Sequence, residues 1–519
     1  MSATTSITVH LRVNDAATGK PTPVRLRITN PNGEYFAPFG RVVEFPVGRN
    51  EDVGGNAYLD GKRYTYIDGT CEIRLPTGVA LNVEISKGLQ YPCIREIVTL
   101  GPGQMALRFS IHRAIVDRDI GWVAADTRCH SLPPQAAILE AACEDISLAY
   151  VLAAEQNYPS RDGHLYRSIP NMLAFSGQAF AHMYEPAPQA KSDGLPLHAV
   201  AVGTLNVHPA LGKLGLLNCH RPVYPLTFGG DQVDDWSMCD WADQCHRKKG
   251  LVVWCEAFRT EVPGGEALVA AILGKIDAIE LDAQERNRPF LMSWYRLLDA
   301  GIRLPIVGGS GKDSNRTPIG SMRTYTRMES AEWKFADWVE RTRAGHTFVT
   351  NGPFLSAMVN DKLPGSVIAP LDGKPIEIRA SADSLVPFER LEIVVNGSVV
   401  MSRAPTPKKE NPDCHVAENT VECDLPEGGW IAARCIGAAK SMLDLRSPVL
   451  AHTSPVFVRI PGKPQRVVPA AVRSVVSDIQ QVRLWVERDG RFAQEKSKTH
   501  LLALCDDALR VLSERLSEK

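Results

Sequence analysis

The chain has 519 residues, 44% hydrophobic and 23% charged, with 58 Lys and Arg against 59 Asp and Glu and a formal net charge of -1. That composition is of the ordinary globular kind and excludes disorder as the default; the length predicts about two or three domains. Near-neutral charge without a basic block excludes a phosphate-backbone tracker, and no apolar run is long enough to span a bilayer, so neither nucleic acid nor membrane is an expected partner.

The N-terminus, MSATTSITVHLRVND, has no basic stretch followed by an apolar one and runs straight into alternating β-type sequence, which points to a cytoplasmic protein. Residues 1–112 continue in that rhythm through TPVRLRITN, YTYIDGTCEIRLPTG, VALNVEIS and IREIVTL, with turn residues between, and predict a small β-sandwich. Through VNDAATGKPTPVRLRI and LPTGVALNVEI this part resembles transthyretin-like or carboxypeptidase-regulatory-like modules.

From 113 to 355 strands alternate with helices: GWVAAD before PQAAILEAACEDISLAYVLAA, LHAVAVGTLNV before a loop, and WADQCHRKK before LVVWCEAF. EALVAAILGK then precedes IDAIEL, and SWYRLLDAG precedes RLPIVGGSG. Such units predict a parallel sheet, in this number a β/α barrel, with the active site at the C-terminal ends of its strands. The SMCDWADQCHRKKG segment is a predicted helix with Trp241 and Cys245 on one face. Residues 356–460 return to β pattern, with an Asn-Gly hairpin signal in VVNGSVV, and predict a second β-sandwich. Residues 461–519 form a helical tail ending in HLLALCDDALRVLSERL. The fold expected is therefore multidomain, a β/α barrel flanked by two β-sandwiches. The 12 cysteines form no Cys-x-x-Cys pair and read as buried reduced thiols.

The chemistry-bearing stretch is Asp126-Thr-Arg128-Cys-His130 at the end of the first barrel strand. Alternation in a strand would aim Asp126, Arg128 and His130 together, half of a metal site with an arginine in the middle. Taken alone, Asp126 and His130 read as a structural pair. In company with GTLNVHPALGKLGLLN, GLVVWCEAF, LPIVGGSGKDSN, RTYTRM and RAGHTFVTNGPFL, the stretch resembles the polymerase-and-histidinol-phosphatase (PHP) superfamily, in its CehA/McbA-type metallohydrolase branch, over roughly 113–365.

That resemblance implies a distorted β/α barrel holding two or three divalent metals, and a hydrolase. It also shows where this chain departs. The family's Asp-x-His-x-His is Asp126-x-Arg128-x-His130, its Gly-Thr-Glu is Gly203-Thr204-Leu205, and the following Gly-His is Gly212-Lys213. The histidine ending the LVVxxH strand is Glu256, the region near GGS reads Gly311-Lys312-Asp313-Ser314-Asn315, and the second acid-histidine turn is Glu155-Gln156. Arginine offers no lone pair, and a lysine needs a strongly depressed pKa to ligate.

Two consequences stay open at this point, with a third beside them. Arg128 and Lys213, together with Lys312, would replace the metal charge by a salt-bridged network to Asp126, Glu155 and Glu256. The old pocket would then take an anionic or polyol, carbohydrate-like small molecule on Arg128, His130, Lys213 and Lys312, with no cofactor. Alternatively Asp126, His130, Glu155, Glu256 and Asp313 form a remodelled, oxygen-rich site for Mg or Mn rather than Zn, and a metal-bound hydroxide attacks an ester, phosphoester or carbamate. In the third reading the barrel is structural and the β-sandwiches act as interaction modules. His208 reads as a loop histidine; Cys255 lacks the base and setting of a nucleophile. GGSGKDS lacks the Walker spacing, although its glycines and Lys312 could cradle an anion.

Overall fold

The computed structural model describes residues 5–44, 54–115, 121–159, 165–169, 171–172, 198–283, 287–330, 333–370, 374–443 and 447–517. The fold is mostly β, in several domains, with a few helices. Near the N-terminus a three-stranded sheet (Thr70–Pro76, Ser6–Asp15, Ala106–Ile111) faces a six-stranded one built on Val24–Thr29 and Ala80–Ser86. Alternation turns Val9, Leu11 and Val13 of the first sheet toward Leu26, Ile28, Val83 and Ile85 of the second, all essentially without solvent exposure.

A 15-stranded sheet forms the centre of the molecule. It curls as a half-barrel through the strands Ile306–Gly309, Ala278–Asp282, Leu251–Cys255, Gly212–Leu217, Ala199–His208, Leu148–Ala153 and Trp122–Cys129. Leu148–Ala153 and Leu251–Cys255 are buried on both faces, which explains their unbroken apolar runs. The curl brings its ends together: His130 N donates to Lys312 O (2.6 Å) and Gly311 N to Arg128 O (2.9 Å).

The sheet is mixed rather than parallel. The LHAVAVGTLNV strand does not give way to a loop after 208 but turns at His208–Gly212 into an antiparallel hairpin, pairing Val207 with Lys213. His208 shapes that turn: Nδ1 accepts from Ala210 N (3.2 Å) and Leu211 N (3.0 Å), while Nε2 meets Asp234 Oδ1 at 2.9 Å. It is a buried structural histidine, not an open loop residue.

Beyond Arg323–Arg327 and Thr347–Thr350 the same sheet continues into Pro448–Thr453, Gly429–Lys440, Arg390–Val395 and Ser398–Arg403. A four-stranded sheet (Phe354–Val359, Ile376–Ser384, Asn411–Cys423, Thr406–Lys408) covers it. The tail is two helices, Pro469–Arg488 and Glu495–Ser517. Val472, Val475, Ile479, Leu501, Cys505 and Leu512 join one buried cluster with Trp241 and Cys245 of helix Met238–Arg247. All but Cys71, Cys93 and Cys423 of the free cysteines are buried. Among the described residues no helix is long and apolar enough to cross a membrane.

Candidate functional site

The C-terminal ends of the curled strands converge on Arg128. A register shift between Asp126 and Cys129 inserts one extra residue into that strand and breaks the alternation. As a result the adjacent side chains Thr127 and Arg128 both reach Glu280, at 3.2 Å from Thr127 Oγ1 to Oε2 and 2.6 Å from Arg128 Nε to Oε1. Asp126, expected to face the same way as Arg128, instead receives the backbone amides of Arg128 (3.1 Å), Ser310 (2.9 Å) and Gly320 (2.7 Å). It ties the strand to two loops and does not share the Arg128 cluster.

Arg128 is fully engaged. Besides Glu280 it donates from Nη2 to Asp282 Oδ2 (2.7 Å) and from Nη1 to Glu256 Oε1 (3.1 Å), with His130 Nε2 at 3.4 Å from Nη1. Lys213 Nζ holds the other oxygen of Glu256 at 2.6 Å, and Arg259 spans both oxygens of Asp282 at 3.3 Å each. Lys213 reaches this end of the sheet because its strand runs antiparallel to Leu251–Cys255 and starts where that strand finishes, Lys213 opposite Cys255. Glu256 follows directly, in a left-handed conformation (φ 47°) that few non-glycine residues adopt. Three carboxylates thus meet three cations.

The electrostatics follow from burial. Glu280 and Asp282 are almost wholly enclosed, as is Arg128. Burial pushes the Glu280 carboxyl up to about 7, only partly offset by Arg128. For Glu256, at the rim, burial is outweighed by Arg128 and Lys213, which hold it below its ordinary value. Burial and the neighbouring guanidinium bring His130 down to about 3, so its ring is neutral at physiological pH. Cys255, beside Glu280 at 3.7 Å, is raised well above the usual thiol range by burial and by that acid, the opposite of an activated nucleophile.

These shifts give a signed expectation for stability against pH. A carboxyl raised from 4.5 to about 7 on folding contributes fully below 4.5, and the contribution is lost as pH rises through about 7. Denaturant titrations of wild type and Glu280→Gln across that window should show the wild type losing ground to the variant as pH rises. A difference that grows in favour of the wild type would mean that Arg128 keeps Glu280 ionised throughout.

Of the residues singled out in the sequence, Arg128, His130, Lys213 and Glu256 come together. Glu155 and Asp313 lie half-buried just beyond the strands Leu148–Ala153 and Ile306–Gly309. Lys312 does not face the cluster as a ligand-binding cation; it is completely buried, its Nζ 3.1 Å from Glu140 Oε2 and donating to Ser314 O and Thr317 O. The GGSGK glycines likewise serve packing: a Cβ on Gly309 would come within 2.8 Å of Glu280 Oε2, and one on Gly311 (φ +60°) within 3.1 Å of Arg128 Nη2.

Glu280, Asp282 and Arg259 were not picked out by sequence reasoning. The signal was in IDAIELDAQ, where two acids spaced i, i+2 interrupt an otherwise apolar strand and so face one side of it. Among the described residues no group of three or more His, Cys, Asp or Glu side chains is arranged to hold a metal ion. A scan against protein-family models finds no match to the chain, and a search of the curated proteins finds none either.

Proposed function

We propose that the chain is a converted PHP-type hydrolase, in which Arg128 supplies the positive charge once held by a metal cluster and the remaining pocket binds a small anionic or polyol ligand. The observation that carries this reading is the threefold engagement of Arg128 by Glu256, Glu280 and Asp282, three acids from the ends of two strands gathered on one guanidinium. Without a cation such acids repel one another.

The donor set does not fit a divalent ion. The acids nearest the centre already have guanidinium or ammonium partners, Asp126 is occupied by three amides, and a fixed positive charge stands among them. A second cation placed there would be repelled by the guanidinium and would have to displace it from its acids.

Ligand contact falls to the rim. Lys213 and Arg259 keep about a third of their side chains exposed (34% and 32%), and a lysine with one carboxylate partner still has ammonium hydrogens to give. The neutral His130 ring, half-buried beside Arg128, adds a polar edge. The test is calorimetric titration with small carboxylates, phosphate esters and polyols. Saturable binding to wild type should weaken about tenfold in Lys213→Ala or Arg259→Ala, the loss of one charge-assisted hydrogen bond. Equal affinity in all three proteins would remove this pocket from consideration.

A further inference from the structure

A cleft of about 590 Å3 opens between the connection that follows the last strand of the sheet and the end of helix Glu495–Ser517. It shares no residue with the Arg128 cluster. Arg459, Lys463 and Arg515 stand on its wall, with Glu514 as the acid among them.

Among the described residues Arg459 is not balanced by an acid as Arg128 is. Arg303 lies beside Arg459, its guanidinium over the ring of Phe457 at 5.3 Å, and among the described residues neither arginine is ion-paired. Burial and the charge of Arg459 together hold Arg303 below its ordinary pKa, as expected of cations crowded without an acid between them. Lys463 spends one hydrogen on Pro426 O at 2.9 Å, which fixes its position while leaving further donors. Arg515 is held in place through Ala300 O at 3.1 Å. By contrast Arg466, in the same connection, is matched to Asp299 at 3.7 Å.

We propose that this cleft is a second binding site, taking a small multiply charged anion of the pyrophosphate or phosphate-ester class on Arg459 and Lys463. Its volume is that of a small-molecule pocket, and arginine forks match phosphate oxygens two at a time. Arg303 adds long-range attraction from beside the cleft.

The experiment is calorimetric titration of the full chain with inorganic pyrophosphate at low salt, where screening is least. Saturable binding is expected, at least about tenfold weaker in Arg459→Ala and in Lys463→Ala and retained in Arg95→Ala, an exposed arginine that belongs to neither site. Both cleft residues are exposed, so these variants should fold, and their circular dichroism melts check it. No saturable heat, equal affinity in every variant, or loss in Arg95→Ala with none in Arg459→Ala would each overturn the proposal.

Discussion

At pH 8, where the Glu280 carboxyl is ionised, Arg128→Ala is expected to lower the free energy of unfolding by about 3–5 kcal/mol, the usual cost of removing one partner of a buried ion pair. The reason is local. The truncation leaves Glu280 and Asp282, at 0% and 2% side-chain exposure, without the guanidinium that joins them. Arg259 still touches Asp282 but nothing replaces the Nε contact to Glu280. Lysine at 128 should recover only part of the loss, because one ammonium cannot span three carboxylates set around a planar fork. Replacing the acids as well, in Arg128→Met with Glu280→Gln and Asp282→Asn, should return much of the stability, since the cost arises from stranded charge. Urea unfolding followed by circular dichroism measures all of these; an Arg128→Ala midpoint equal to that of wild type would show that the cluster carries no such interdependence.

Lys312→Ala should have an effect of similar size, about 3–5 kcal/mol, for the same reason in a different place. Lys312 and Glu140 are both 0% exposed, so the truncation leaves a buried carboxylate alone. Burial already raises the Glu140 carboxyl against the pull of Lys312, and its Oε1 accepts from Gly55 N at 2.8 Å. The pair therefore bridges the glycine loop of the curled sheet, helix Pro134–Cys143 and the N-terminal β-sandwich. Neighbouring pairs strengthen that junction: buried Arg25 with Glu144, and half-buried Arg113 with Asp145 at 2.7 Å. Faster amide hydrogen exchange around Gly55 in Lys312→Ala, beside the lowered midpoint, would locate the damage at this junction. Exchange unchanged there would confine the role of Lys312 to its own loop.

The sequence carried the strand rhythm of both β-rich regions and the buried face of helix Met238–Arg247, because alternation and helical spacing are local consequences of burial. It did not carry the hairpin at His208–Gly212: LHAVAVGTLNV reads as any buried strand, and the histidine that accepts the turn's amides meets Asp234, a contact 26 residues away. Nor could spacing foresee the extra residue between Asp126 and Cys129, which turns Asp126 to backbone amides and sets Thr127 beside Arg128. The cations at 128 and 213 were legible as charge. Their partners were only half so, since Glu256 was in view while Glu280 and Asp282 were hidden in a strand that looked wholly structural. Lys312 illustrates the opposite error: its place in a glycine-rich loop suggested a ligand, and burial against Glu140 gave it a different task.

The most direct test of metal replacement by arginine is elemental mass spectrometry of the purified chain after exhaustive dialysis. With Arg128 holding the three acids, no divalent ion should remain in stoichiometric amount. A stoichiometric Mg, Mn or Zn ion in the wild type, lost when Glu256 or Glu280 is replaced, would contradict the substitution of metal charge by arginine and return the pocket to metal chemistry.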